Sequence, residues 1–193
     1  MNTLDTTSVT PHRPPNRAGE RHAARIAGFT LIEILMTIAV AGIIVVLAMP
    51  SFRYVTVSNR IAGEINGLLG DLQFARAEAI KEGQTVTVCV SAAGKTCDGT
   101  TTWQNGWIVF QNPANVLRIQ PPFSSTDSFV ATQGVTQIQF NREGYAAGLP
   151  NGTLISVHDA TGTTAWTRCL AINFSGQMSS LMYNQIANLV TCT

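Results

Sequence analysis

The chain has 193 residues, 12 basic and 11 acidic side chains, and a net charge of +1. Arg13, Arg17, Arg21 and Arg25 stand before residue 28 against Asp5 and Glu20, which leaves eight basic and nine acidic side chains beyond it. Those eight (Arg53, Arg60, Arg76, Lys81, Lys95, Arg118, Arg142 and Arg168) are scattered, without the basic excess or stripe that phosphate binding demands, and this argues against a nucleic-acid partner.

Residues 1–28 are polar and contain Pro11, Pro14 and Pro15, so they read as a cytoplasmic leader. An apolar run follows from Phe29 to Met49. As a helix it is about 31 Å long, enough to cross one bilayer. The arginines before it hold the leader inside and send everything after Pro50 outside. The run is too long for a secretory signal peptide, and Ala48-Met49-Pro50 is a poor cleavage site. A plain signal anchor fits the length but gives no reason for Glu33. A lone carboxylate there costs about 2.5–3.5 kcal/mol at mid-helix, and less near an end.

The segment Arg25-Ile26-Ala27-Gly28-Phe29-Thr30-Leu31-Ile32-Glu33 resembles a type IV prepilin signal, the class III signal of pilins and pseudopilins. The resemblance implies cleavage between Gly28 and Phe29 by a prepilin peptidase, and methylation of the new amine of Phe29. It also implies filament assembly from an inner-membrane platform together with other pilins. Glu33 would neutralise the Phe29 amine of a neighbouring subunit in a low-dielectric setting and so fix the axial register.

Pro50 is expected to kink the helix by removing one hydrogen bond. Beyond it Ile61, Ile65, Leu68, Leu69, Leu72 and Ala79 recur at three- and four-residue steps, an amphipathic stripe for packing on a globular domain. Gly63, Gly67 and Gly70 each weaken the helix by about 1 kcal/mol relative to alanine; local melting in a filament and close packing against a sheet are the two readings, with packing slightly preferred. Glu82-Gly83 should end the helix. Strands are expected at 85–90, 106–111, 115–120, 137–140, 154–158 and 165–174, with an irregular tail after Ser175. The fold class is therefore α+β: a leader over 1–28, a long helix over 29–83 and an antiparallel β domain over 84–193.

An exported chain meets oxidising conditions, so Cys89, Cys97, Cys169 and Cys192 read as disulfides. Four cysteines allow three pairings; proximity in sequence favours Cys89–Cys97 and then Cys169–Cys192. Their spacing does not suit zinc, no His lies near them, and neither metal nor cofactor is expected.

The run Leu69-Gly70-Asp71-Leu72-Gln73-Phe74-Ala75-Arg76-Ala77-Glu78-Ala79, followed at once by Thr85-Val86-Thr87-Val88-Cys89, resembles the GspH/FimT group of minor pilins and pseudopilins. The Gly106-Trp107-Ile108-Val109-Phe110 strand is similar to theirs. The resemblance implies two β-sheets against the C-terminal half of the helix and a low-copy role near a filament tip or in its initiation. The filament would be a type II secretion pseudopilus or a type IV pilus. Some FimT-like members bind DNA during transformation through a C-terminal Gly-Arg-x-Arg motif. The matching place here is Gly176-Gln177-Met178-Ser179, where both arginines are missing, so DNA uptake is the weaker reading.

Other constellations carry less. His158-Asp159 lacks a nucleophile at a motif position and reads as surface polar residues, not as an enzyme site. Trp107 reads as core and Trp103 as a loop packing residue. Asn151-Gly152-Thr153 matches a glycosylation sequon but reads better as a hairpin turn. Arg76 and Glu78 are expected in weak surface salt bridges.

Overall fold

A computed structural model describes residues 28–112, 115–149 and 152–183. Among these residues one α-helix, α1 (Leu31–Glu82), is followed by nine strands. The chain divides into two units after Ile43.

In the first unit every residue from Gly28 onward is exposed. The window is long and apolar enough to cross a membrane, and none of it is buried within the protein. α1 runs unbroken through Pro50, so the missing hydrogen bond does not end the helix.

In the second unit the rest of α1 carries the core stripe. Ile61, Leu68, Leu72, Ala75 and Ala79 are fully buried and Ile65 nearly so. Gly63, Gly67 and Gly70 lie on the opposite face: all three are exposed, and a Cβ at any of them would meet nothing within 4 Å. The expected close packing on a sheet is therefore wrong, because these positions fall between the core-facing rows. The helix ends at Gly83, whose φ of 63° is left-handed, and the Gln84 amide donates to the Ala79 carbonyl at 3.2 Å. Glycine takes that conformation without a Cβ penalty.

The first sheet contains β1 (Val86–Val90), β2 (Trp107–Asn112), β3 (Asn115–Gln120), β5 (Gln137–Phe140) and β6 (Ala146–Ala147), in the order β3-β2-β1-β5-β6. The second contains β4 (Ser128–Ala131), β7 (Thr153–His158), β8 (Arg168–Ile172) and β9 (Met178–Met182), in the order β4-β7-β8-β9. All pairings are antiparallel. Alternate residues of both sheets join the helix stripe in one cluster: Val86, Val88, Trp107, Val109, Ile138 and Phe140 from the first, Ile155, Val157, Leu170 and Ile172 from the second. The α+β layout, one long helix against two antiparallel sheets, is as expected.

Three expectations fail in detail. The stretch after Ser175 is not irregular up to Cys192: Asn173–Gln177 closes a tight turn and β9 pairs with β8 over five residues. β4 and β6 lacked a β-branched run to mark them. Gly152 has the φ of 72° that a turn needs, but β6 and β7 lie in different sheets, so 151–153 is no hairpin. Asn151 lies outside the described residues.

Candidate assembly site

The first candidate is the start of α1. Gly28 and Phe29 are exposed and precede the helix. Thr30 caps it: the Glu33 amide donates to the Thr30 Oγ1 at 3.3 Å and to its carbonyl at 3.1 Å, and the Ile34 amide donates to that carbonyl at 3.2 Å. Thr30-x-x-Glu33 is thus a capping-box pattern, with a carboxylate in the first turn where the helix dipole favours it. This local stabilisation was legible in the sequence and was missed. It leaves the Glu33 carboxylate exposed, so the cap and an intersubunit contact are compatible.

Polar contacts tie α1 to both sheets. Asp71 accepts from Trp107 Nε1 and from Arg118 Nη1, each at 2.9 Å, and Arg118 lies 3.8 Å over the Phe74 ring. Trp103, fully buried, donates its Nε1 to the Val135 carbonyl at 2.9 Å. Arg60 grips Asp127 through two hydrogen bonds of 2.6 Å. Next to them the buried Glu64 accepts from the Ser125 hydroxyl at 2.8 Å while its Oε2 has no partner. Burial pushes the Glu64 carboxyl above its ordinary range; the Ser125 bond opposes that shift and Asp127 adds to it.

Arg76 does not make the expected surface salt bridge. It donates to the Gly144 carbonyl at 2.9 Å and to the Ser175 carbonyl at 3.4 Å, joining the helix to the turns before β6 and β9. A Cβ at Gly176, where φ is 75°, would collide with the Gly144 carbonyl. Glu78 pairs with Lys81 instead. The motif residues Leu72, Ala75 and Ala79 are core, which explains their spacing around Arg76. Beside Gly176–Ser179 lies an open groove of about 670 Å³, lined also by Gln73, Ala77 and Ile80. Its one cation, Arg76, is committed to carbonyls.

His158-Asp159 is not a surface pair. Asp159 is buried and accepts from the Thr161 hydroxyl and the Thr163 amide, which organises the turn after β7. Burial pushes its carboxyl up, but the hydrogen bonds together hold it below the usual carboxylate range. His158 Nδ1 lies 2.9 Å from the Asp159 carbonyl. No cluster of three or more His, Cys, Asp or Glu able to hold a metal occurs among the described residues.

Cys89 and Cys97 form a disulfide. Cys169 is also disulfide-bonded, and Cys192 lies outside the described residues.

Comparisons place this architecture. The chain is similar over 64% of its length to the crystal structure of the type IV minor pilin FimU of Pseudomonas aeruginosa strain PAO1 in one crystal form (TM-score 0.49, 21% identity, 91% of that chain). For a second crystal form the TM-score is 0.52 at 21% identity, over 63% of this chain and 87% of that one, which shows a shared fold. No curated protein matches significantly. The family model described as type II transport protein GspH matches residues 64–176, more than half of the chain, so the protein belongs to the GspH family.

Proposed function

We propose that this protein is a low-copy minor pilin or pseudopilin, anchored by residues 29–49 and built into a helical filament. The observation that carries the reading is a capped helix whose first five turns bury nothing within the protein, joined in sequence to a GspH-family domain. A prepilin peptidase would cut between Gly28 and Phe29 in the cytoplasm, and the Phe29 amine would be methylated. Glu33 would pair with the amine of a neighbouring subunit as each one leaves the inner-membrane platform. The β domain would face the periplasm and later the filament surface or tip. The role is architectural, without catalysis.

Family membership favours a type II secretion pseudopilus, and the fold likeness to a type IV minor pilin keeps a pilus as the rival machine. DNA uptake is disfavoured by the β8–β9 turn, which offers Gln177 and Ser179 where a Gly-Arg-x-Arg motif would carry its two arginines. Deleting the gene and assaying secreted enzymes outside the cell tests the assignment. Secretion lost and restored by complementation supports the pseudopilus. Intact secretion with lost twitching supports the pilus, and intact secretion and twitching contradict both.

A further inference from the structure

The stripe on α1 continues past the end of the core. Tyr54 lies seven residues before Ile61, so it falls on the same helix face as Ile61, Ile65, Leu68 and Leu72. Those four are buried, and Val57 packs against the cluster from its edge. Tyr54 is 48% exposed. Its ring meets Trp166 edge-on, with 5.7 Å between centroids and 62° between planes. Trp166 is itself only partly buried.

Trp166 belongs to the segment between β7 and β8, which its own hydrogen bonds hold in shape. Buried Asp159 accepts from the Thr161 hydroxyl and the Thr163 amide. The Gly162 amide donates to the Asp159 carbonyl at 3.0 Å, and the Thr167 hydroxyl donates to the Thr163 carbonyl at 2.9 Å. Ala160, Thr161, Gly162, Thr164 and Ala165 form its exposed outside. On α1 next to Tyr54, Phe52 is 74% exposed and Val55 is exposed as well. Arg53 is exposed, and it is the single charged side chain over residues 44–59 and 160–167. This end of the domain is therefore aromatic, apolar and free of exposed acid.

We propose that Phe52, Arg53, Tyr54 and Val55, together with Trp166 and its loop, form a footing that rests on the headgroup layer of the bilayer. The inference rests on the reading of residues 29–49 as a membrane anchor. Three observations name lipid as the occupant. The first is continuity: Ile44–Met49 are apolar and exposed, lie on the same unbroken helix and belong to the same compact unit as the domain. The second is height. Tyr54 is five residues beyond Met49. That is about 7.5 Å along the helix, and the headgroup layer is about 5–8 Å deep on each side of the hydrocarbon. Tyr and Trp concentrate at that level, where one side is apolar and the other wet. The third is charge: Arg53, with no exposed acid on the same surface, complements anionic headgroups. The footing sets the height of the β domain on the membrane before the subunit enters a filament.

The test reconstitutes the full chain, dilute, in vesicles of phosphatidylglycerol and phosphatidylethanolamine. The vesicles carry a nitroxide quencher either near the headgroups or at the ends of the acyl chains. Trp103 and Trp107 are fully buried in the core, so the emission lost in Trp166→Phe reports Trp166. That component should be quenched roughly twofold more by the shallow label than by the deep one. The double variant Phe52→Ser/Arg53→Glu changes exposed side chains and leaves Trp166 in place; it should abolish the difference. Flotation with the vesicles through an alkaline wash reads the anchor separately, and the double variant should float like wild type. Wild type that fails to float overturns the anchor and the footing with it. Wild type that floats without shallow quenching of Trp166, or quenching that survives the double variant, overturns the footing alone. A Trp166 shielded from both labels as the protein is concentrated gives this surface to a second copy and likewise overturns it.

Discussion

The two halves of α1 are both rich in apolar residues and use them in opposite ways. From Leu31 to Met49 the apolar side chains surround the helix and all are exposed. From Ile61 to Ala79 they occupy one stripe, which is buried, with Gly63, Gly67 and Gly70 exposed on the other face. An all-round pattern needs a solvent that is itself apolar, whereas a stripe needs only a sheet to lie on. The same helix therefore fits a membrane anchor at one end and a protein core at the other.

The strongest way to break that comparison is to shorten side chains in each half. Leu72→Ala should destabilise the domain by about 2–5 kcal/mol, because it opens a cavity in a fully buried site. Val46→Ala should leave the urea midpoint of the detergent-solubilised protein unchanged, read by Trp fluorescence. Equal losses would contradict the division of labour. Next in size, Asp71→Ala should cost about 1–3 kcal/mol, since the Trp107 Nε1 donor then loses its acceptor. Arg118→Gln should cost less than Asp71→Ala, because it leaves the Trp107 bond in place.

Gly67→Ala should stabilise the helix by up to about 1 kcal/mol, as the added methyl meets open space. If thermal melts show that gain while filament incorporation falls, the exposed glycines serve the filament and not the fold.

The smallest effect concerns pH. The Glu64 carboxyl is held above its ordinary range by burial, so in the folded state it keeps its proton more readily than in the unfolded chain. Its contribution is present below the unfolded carboxylate range and is lost as pH rises through the raised folded value. Glu64→Gln, which keeps an acceptor for Ser125, should flatten stability against pH across that window. An unchanged slope in urea titrations would show that Glu64 ionises normally.

Much of this was readable in advance where local chemistry and period agree. Gly83 marked the helix end, the Ile61–Ala79 spacing marked the core stripe, and Val86–Val90 announced a strand by its β-branched residues. β4 and β9 were not readable. Ser128-Phe129-Val130-Ala131 is short, and Met178-Ser179-Ser180-Leu181-Met182 has no β-branched residue; both become strands because a neighbour supplies the ladder. The glycine row misled because periodicity gives a face but not its occupant. Arg76 and Asp159 read as surface charges in the sequence, because the partners of Arg76 are backbone carbonyls 68 and 99 residues away and those of Asp159 belong to a local turn. Thr30 could have been read: Thr-x-x-Glu before an apolar run is a capping signal.

The central claim is that the apolar end of α1 is processed and then built into a filament through Glu33. Mass spectrometry of the N-terminal peptide, taken in parallel from membranes and from sheared filaments of cells carrying wild type or Glu33→Ala, tests it most directly. The account predicts an N-methylated Phe29 terminus in both wild-type fractions, and Glu33→Ala in membranes but missing from filaments. A terminus upstream of Gly28, or Glu33→Ala entering filaments at the wild-type level, would contradict it.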